Sequence, residues 1–195
     1  MVHILGPKDR KKINELTSAG VRIINTTSCS KETWTRGLSP FYLGPVPLYD
    51  LRVARNMENA YQYTKVYAKH VGSDGEPNDE YWKWAEEGWR ARRARRYPMG
   101  KGATPEYSYW RGEKLGYTDA RRKIYFPLYA NAVRRTAAFK KLRNMYLENK
   151  EIYLWDFDGY DHVELGIALK DVINIEERKM GHAFVLAMLL ESGKG

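Results

Sequence analysis

Cys29 is the only cysteine in the chain. A single thiol cannot close an internal disulfide or build a thiolate zinc cage, so the expectation is a chain with no disulfide framework, metal or cofactor. Long apolar runs are lacking as well. A membrane span needs about 18 consecutive apolar residues, and the best candidate, HAFVLAMLL, falls well short. The apolar start MVHILG runs straight into PKDRKK, which is not the pattern of a secretory leader. Internal repeats, low-complexity tracts and domain linkers are also missing. These absences point to a cytoplasmic protein that does not engage membranes.

The 195 residues, 43% hydrophobic and 29% charged, suit one globular domain over 1–195 with a sizeable core. The net charge of +9 is unevenly placed: Arg90–Lys123 holds eleven Lys/Arg against three Asp/Glu, a local balance of +8. Five aromatics are interleaved there: Tyr97, Tyr107, Tyr109, Trp110 and Tyr117. Basic side chains attract phosphate and release its counterions, and aromatic faces stack on bases. Arg92, Arg93, Arg95, Arg96, Arg121 and Arg122 are therefore the candidate nucleic-acid contacts. The competing reading is a solvated basic helix followed by a Gly-rich loop.

VRIINTTS (21–28) has the β-branched content of a strand and runs into LSPFYLGPVP, punctuated by prolines and a glycine. A helix is expected from about Asn56 to His70. A second should start at an Asp79 N-cap and run to Tyr97, where Pro98 stops it. The glycines within 98–117 predict a mobile loop. A helix over 118–148 with a kink or break at Pro127, a buried strand over 151–157 and a closing helix near 180–191 complete the pattern. The fold class is α+β, dominated by helices, with a few short strands and no regular strand–helix alternation.

Within NMENAYQYTK (56–65), helical spacing places Glu58, Gln62 and Lys65 on one stripe. Such a stripe is either a solvated ladder or the floor of a site. IYLWDFDGYD, an apolar strand ending in Asp-x-Asp-Gly, resembles the nucleophile loop of haloacid-dehalogenase-type phosphatases. That fold needs a long α/β sheet after its first Asp, and the residues after Asp158 are too few to supply one. Asp156, Asp158 and Asp161 stay as candidates because three carboxylates at a strand end can face a pocket; a plain turn accounts for them equally well.

Several separated pieces together resemble the NADAR (YbiA-like) family of N-glycosidases and ADP-ribosyl glycohydrolases. LSPFYLGPV (38–46) is similar to the family's Leu-Ser-Asn-Phe-Tyr stretch. ENAYQYTK (58–65) is similar to its Glu-His-x-x-Gln-x-x-Lys helix. VRRTAAFKKLRNMYLEN resembles its later basic helix, and RKMGHAFVLAMLLE its closing one. The order of pieces agrees over about 21–191. Pro40 stands where the family has Asn, Asn59 where it has His, and Arg178 where it has Asn. No Trp-Gly follows the acidic turn, and 72–117 is longer and more basic.

The resemblance implies a single compact YbiA-like domain that cleaves an N-glycosidic bond to ribose. Glu58, Lys65, Asp158 and Asp161 become the candidate catalytic residues, with Phe41, Tyr61, Gln62, Trp110 and Trp155 around the substrate. Cleavage passes through an oxocarbenium-like ribose, which needs negative charge near C1 and a proton for the leaving base. Glu58 can stabilise the cation or activate water. Lys65, roughly 10 Å along the same helix face, can protonate the base, hold a phosphate or form a Schiff base. Gln62 can bind ribose hydroxyls. Two substrate classes are implied: ADP-ribose on guanine in DNA, removed to reverse a toxin's modification, and a small ribosylated pyrimidine. The basic segment favours DNA. A non-catalytic nucleic-acid-binding module is the alternative from a different class.

Overall fold

The computed structural model describes residues 1–193. In chain order it contains β1 (Val2–Leu5), α1 (Arg10–Ser18), β2 (Ile23–Asn25), β3 (Val46–Pro47), β4 (Val53–Ala54), α2 (Met57–Gln62) and β5 (Lys65–Val66). Then follow α3 (Asp79–Arg90), β6 (Tyr107–Trp110), β7 (Glu113–Leu115), α4 (Tyr117–Ala120), α5 (Phe126–Val133), α6 (Ala137–Asn149), β8 (Ile152–Trp155) and α7 (His182–Ser192). This is an α+β architecture in which helices outweigh short strands. The chain divides into two compact units, one formed by Met1–Ser39 with the chain from Tyr129 onward, the other by Pro40–Leu128.

The first unit is built on a parallel sheet of order β1-β8-β2, with Ile4 and Ile24 both opposite Leu154. Parallel strands covered on both faces read as continuous apolar runs, and all four residues of β1 are buried. The long apolar run HAFVLAMLL forms α7, buried almost all round, as expected of a helix without a polar face. Asp156, just beyond β8, caps that helix from outside: its carboxylate accepts from Ala183 N–H at 3.0 Å and lies 3.0 Å from His182 Nδ1. A Cβ on Gly181 would fall 2.2 Å from Asp156 Oδ2, so only glycine permits this approach. The other ring nitrogen of His182 is 2.9 Å from the Thr26 carbonyl. With an acceptor on each side, both nitrogens donate and the ring is an imidazolium. Burial opposes ionisation of Asp156, but the His182 charge and the hydrogen bonds it accepts hold its pKa down to about 2.

The second unit holds the β3–β4 hairpin and an antiparallel sheet of order β5-β6-β7. Tyr49, Trp110, Leu115, Ala120 and Ile124 form a buried cluster, with Leu48, Tyr61 and Leu128 packed against it.

Four sequence expectations change here. The helix expected over 56–70 ends at Gln62, because Thr64 and Lys65 are drawn into pairing with β6: Tyr109 N–H donates to the Thr64 carbonyl at 2.7 Å, and Lys65 stands opposite Ser108. Lys65 therefore lies on a strand, not two helical turns beyond Glu58. The helix expected to reach Tyr97 ends at Arg90, and its N-cap is Asn78, whose side chain accepts from Tyr81 N–H. Within 98–117, residues 107–115 form the β6–β7 hairpin instead of a loop. The helix expected over 118–148 breaks at Thr136, which caps α6 by accepting from Phe139 N–H at 3.0 Å. At Pro127 the chain does not break; a π-helical turn over Arg121–Tyr125 precedes it. That wider turn accommodates a ring that would otherwise clash with the carbonyl four residues back.

Candidate functional site

Within the second unit, the PFYLGPV part (40–46) of the LSPFYLGPV motif meets ENAYQYTK. The first N–H groups of a helix have no partner within it. In α2, Met57 N–H donates to the Leu43 carbonyl at 2.7 Å and Glu58 N–H to that of Pro40 at 2.9 Å. The segment carrying half-buried Phe41 is thus laid along the first turn of the helix. Asn56 completes the cap, accepting from Asn59 N–H at 2.9 Å.

On this short helix Glu58 is only 8% exposed and Gln62 9%. Gln62 Nε2 donates to Glu58 Oε1 at 2.9 Å, and Lys65 Nζ donates to Gln62 Oε1 at 2.7 Å. A carboxylate can only accept and an ammonium can only donate, so the two charges fix which way the Gln62 amide points. Glu58, Gln62 and Lys65 form one polarised relay, although Lys65 reaches it from a strand. Lys65 Nζ also stands 5.0 Å from the centre of the Tyr61 ring. Burial pushes the Tyr61 hydroxyl far above its ordinary value; Tyr117 and Glu58 push the same way, and Arg121 opposes them. Glu58 and Arg121 both act on that hydroxyl through space. Tyr125 packs edge-on against Tyr61, with ring centres 5.0 Å apart.

Arg121 is 3% exposed and its guanidinium lies 4.0 Å over the Tyr117 ring. It belongs with the buried groups around Tyr61, not with an exposed phosphate-binding surface. Trp110 is 7% exposed within the Tyr49 cluster, so its ring packs inside. Arg122 is exposed and pairs with Asp119 at 2.7 Å. Arg92, Arg93 and Arg95 are exposed, and half-buried Arg96 lies 5.5 Å from the Tyr97 ring.

Asp158, Asp161 and Trp155 belong to the first unit, whereas the relay belongs to the second. Asp161 is 2% exposed and its Oδ2 receives Lys12 Nζ at 2.6 Å and faces His3 Nδ1 at 3.3 Å. Burial works against its ionisation, but Lys12 and His3 hold its pKa below the usual range. Its other oxygen accepts from Val163 N–H at 3.1 Å, so this carboxylate organises a turn. Asp158 is half-buried, and its N–H donates to Asp156 Oδ1 at 3.3 Å. Trp155 is half-buried with the Phe157 ring against it at 4.9 Å.

Asn59, singled out only as a departure from a motif, is a hub. Its amide donates to the carbonyls of Gly88 at 3.0 Å and of Ala91 and Arg93 at 3.1 Å, and its oxygen accepts from Arg95 N–H at 2.9 Å. The end of α3 and the first arginines of the basic segment are therefore tied to the same helix that carries Glu58. The signal in the sequence was the run ARRARR, which has no large apolar residue to keep a helix packed.

A model described as a family of unknown function, DUF6939, matches residues 8–165. The chain belongs to DUF6939. No curated protein and no solved structure matches it. The match to DUF6939 spans the relay, Asn59, the basic segment and the acidic turn. Among the described residues of this DUF6939 chain, no cluster of three or more His, Cys, Asp or Glu is arranged to hold a metal. None of its described helices is long and apolar enough to cross a membrane.

Proposed function

We propose that this DUF6939 chain is an N-glycosidase that removes ADP-ribose from guanine in DNA. The observation that carries the reading is the Glu58–Gln62–Lys65 relay, a buried carboxylate joined through one amide to an ammonium. The resemblance of the surrounding motifs to NADAR enzymes supports it, and the exposed arginines at 92, 93 and 95 suit a nucleic-acid substrate.

As the glycosidic bond breaks, positive charge develops on the ribose C1 and electrons pass to the base. Glu58 is largely withdrawn from water, where a fixed negative charge acts more strongly on a developing cation than it would in solvent. Gln62 holds one oxygen of that carboxylate and so fixes the orientation in which Glu58 is presented. Lys65 supplies a proton source for the departing base. A carboxylate for the cation and a proton for the leaving group are the two requirements of N-glycoside cleavage.

The test is incubation of the purified protein with guanine-ADP-ribosylated single-stranded DNA. Free ADP-ribose should appear, and Glu58→Gln and Lys65→Ala should each lower the rate by about 100-fold or more. Release undiminished in both variants overturns the assignment. Strand binding without release points instead to a non-catalytic nucleic-acid module, and activity only on a ribosylated pyrimidine to a small-molecule glycosidase.

A further inference from the structure

A second feature of the Pro40–Leu128 unit lies among residues the relay does not use. Leu48, Tyr49, Asp50, Arg52, Trp82, Tyr109, Arg111 and Gly112 line a cavity of about 700 Å³. Its rim is formed by two hairpin tips. Asp50 and Leu51 at the β3–β4 turn have φ of 49° and 60°, and Arg111 and Gly112 at the β6–β7 turn have φ of 52° and 86°. Left-handed conformations are costly for side chains other than Gly, Asn and Asp, most of all for a branched one. Leu51 is fully exposed as well, so packing does not explain it.

The interior of this cavity is chemically specific. Arg52 lies 5.4 Å from the Tyr49 ring and 5.0 Å from the Trp82 ring, with Asp50 Oδ2 3.1 Å from its Nη1. Its Nε is buried and makes no hydrogen bond; Glu86 stands 3.9 Å away. The Tyr49 hydroxyl is buried without a partner on a residue only 7% exposed. A buried polar group without a hydrogen bond is destabilising, and a ligand that supplies the missing partner offsets that cost. Tyr109 and Trp82 are half-buried with rings at right angles, 5.5 Å apart, and Arg111 stands exposed beside them.

We infer that this cavity is a subsite for one nucleotide of a nucleic-acid strand. The base lies against Tyr109 and Trp82, the phosphate on Arg52 and Arg111, and a polar group of the nucleotide meets the Tyr49 hydroxyl. Aromatic faces beside guanidinium groups are what a base with its phosphate requires. An acidic peptide would use the arginines but leave the two rings without a planar partner. The inference rests on the nucleic-acid part of the function proposed above and adds the place where an unmodified nucleotide is held.

The experiment measures fluorescence anisotropy of a labelled oligothymidylate against the full chain and its variants, with thermal melting as a check on folding. Tyr109→Leu should weaken binding by about tenfold with little change in salt slope, since it removes stacking and no charge. Arg111→Gln, at an exposed position, should weaken it and reduce the slope by about one. Tyr49→Phe removes only the hydroxyl and should weaken binding severalfold. Affinity unchanged in Tyr109→Leu and Arg111→Gln overturns the subsite, as does equal competition by an acidic peptide. If wild-type protein binds through Tyr109 but releases no ADP-ribose, the glycosidase reading fails and the subsite stands.

Discussion

Asn59 uses every polar atom of its side chain within the fold. Its amide serves three carbonyls and its oxygen one N–H, all at positions where α3 ends and the chain turns away. It is 0% exposed, so water cannot replace those partners. Removing the side chain leaves several backbone groups unsatisfied, and Asn59→Ala should cost about 3 kcal/mol in urea unfolding. Because the groups it holds precede an arginine run, trypsin offers a second readout. Cleavage at 92–96 should accelerate in the variant more than at any site in the Met1–Ser39 stretch. His70 presents the opposite situation. It is 0% exposed among Tyr67, Tyr81 and Trp84, and neither ring nitrogen has a hydrogen-bond partner. Burial, with Lys69 assisting, lowers its pKa below the ordinary 6.5. The unfolded chain therefore takes up a proton at a pH where the folded one does not, and stability falls as pH drops through about 6.5. Unfolding measured from pH 7.5 downward should show this loss in the wild type, and His70→Leu should remove it.

Two elements carry the candidate site, and both depend on what a neighbour permits. Tyr63 follows α2 directly, and its ring rests on α3 at Gly88, where an added Cβ would lie 2.0 Å from ring carbons. Gly88→Ala should raise helix propensity yet destabilise the protein by about 1–3 kcal/mol through overpacking, seen as a lower melting temperature. This contact also shows which parts of the fold were legible beforehand. The helix at HAFVLAMLL was readable because burial almost all round leaves a continuous apolar pattern, and the strand IYLW because its apolar and aromatic residues stand buried or half-buried in alternation. The ends of α2 and α3 were not. Lys65 is in a strand because Ser108 pairs with it, and α3 stops where Asn59 collects its last carbonyls. Neither partner is near in sequence, and local propensity carries no trace of them. The same limit applied to the site. Glu58, Gln62 and Lys65 were named on a helical spacing that Lys65 does not obey, yet the relay forms because strand β5 returns its ammonium to Gln62. Arg121 looked like one more surface cation in a basic run; only the π turn reveals that it faces inward.

At the scale of the whole molecule, charge is the governing quantity, and it acts differently on binding and on stability. Of the net +9, a balance of +8 lies in Arg90–Lys123, but those cations are not equivalent. Lys114, Arg122 and Lys123 are committed to Glu76, Asp119 and Glu113, whereas Arg92 and Arg93 are exposed and make no ion pair among the described residues. Surface pairs of this kind contribute little to stability, but each lowers the charge offered to a phosphate. Binding to a DNA strand through about six phosphate contacts should therefore weaken with a log–log salt slope near −4 to −5. Arg92→Gln with Arg93→Gln should reduce that slope by about two, while Lys123→Gln should change it by less than one. Acid acts on the carboxylates instead. Asp156 has its pKa depressed from 3.8 to about 2 beside His182, so the stability it confers is complete above 3.8 and is lost as pH falls through about 2. A shift of that size corresponds to about 2 kcal/mol. Asp161, held down by Lys12 and His3 against the effect of burial, adds to the same acid limb. Asp156→Asn should remove its share of that limb and lower stability at neutral pH, because it leaves the His182 imidazolium without its counter-charge. Acid unfolding of the variant that tracks the wild type between pH 4 and pH 2, with stability unchanged at pH 7, would show that the Asp156–His182 pair does not hold α7 to the strand end.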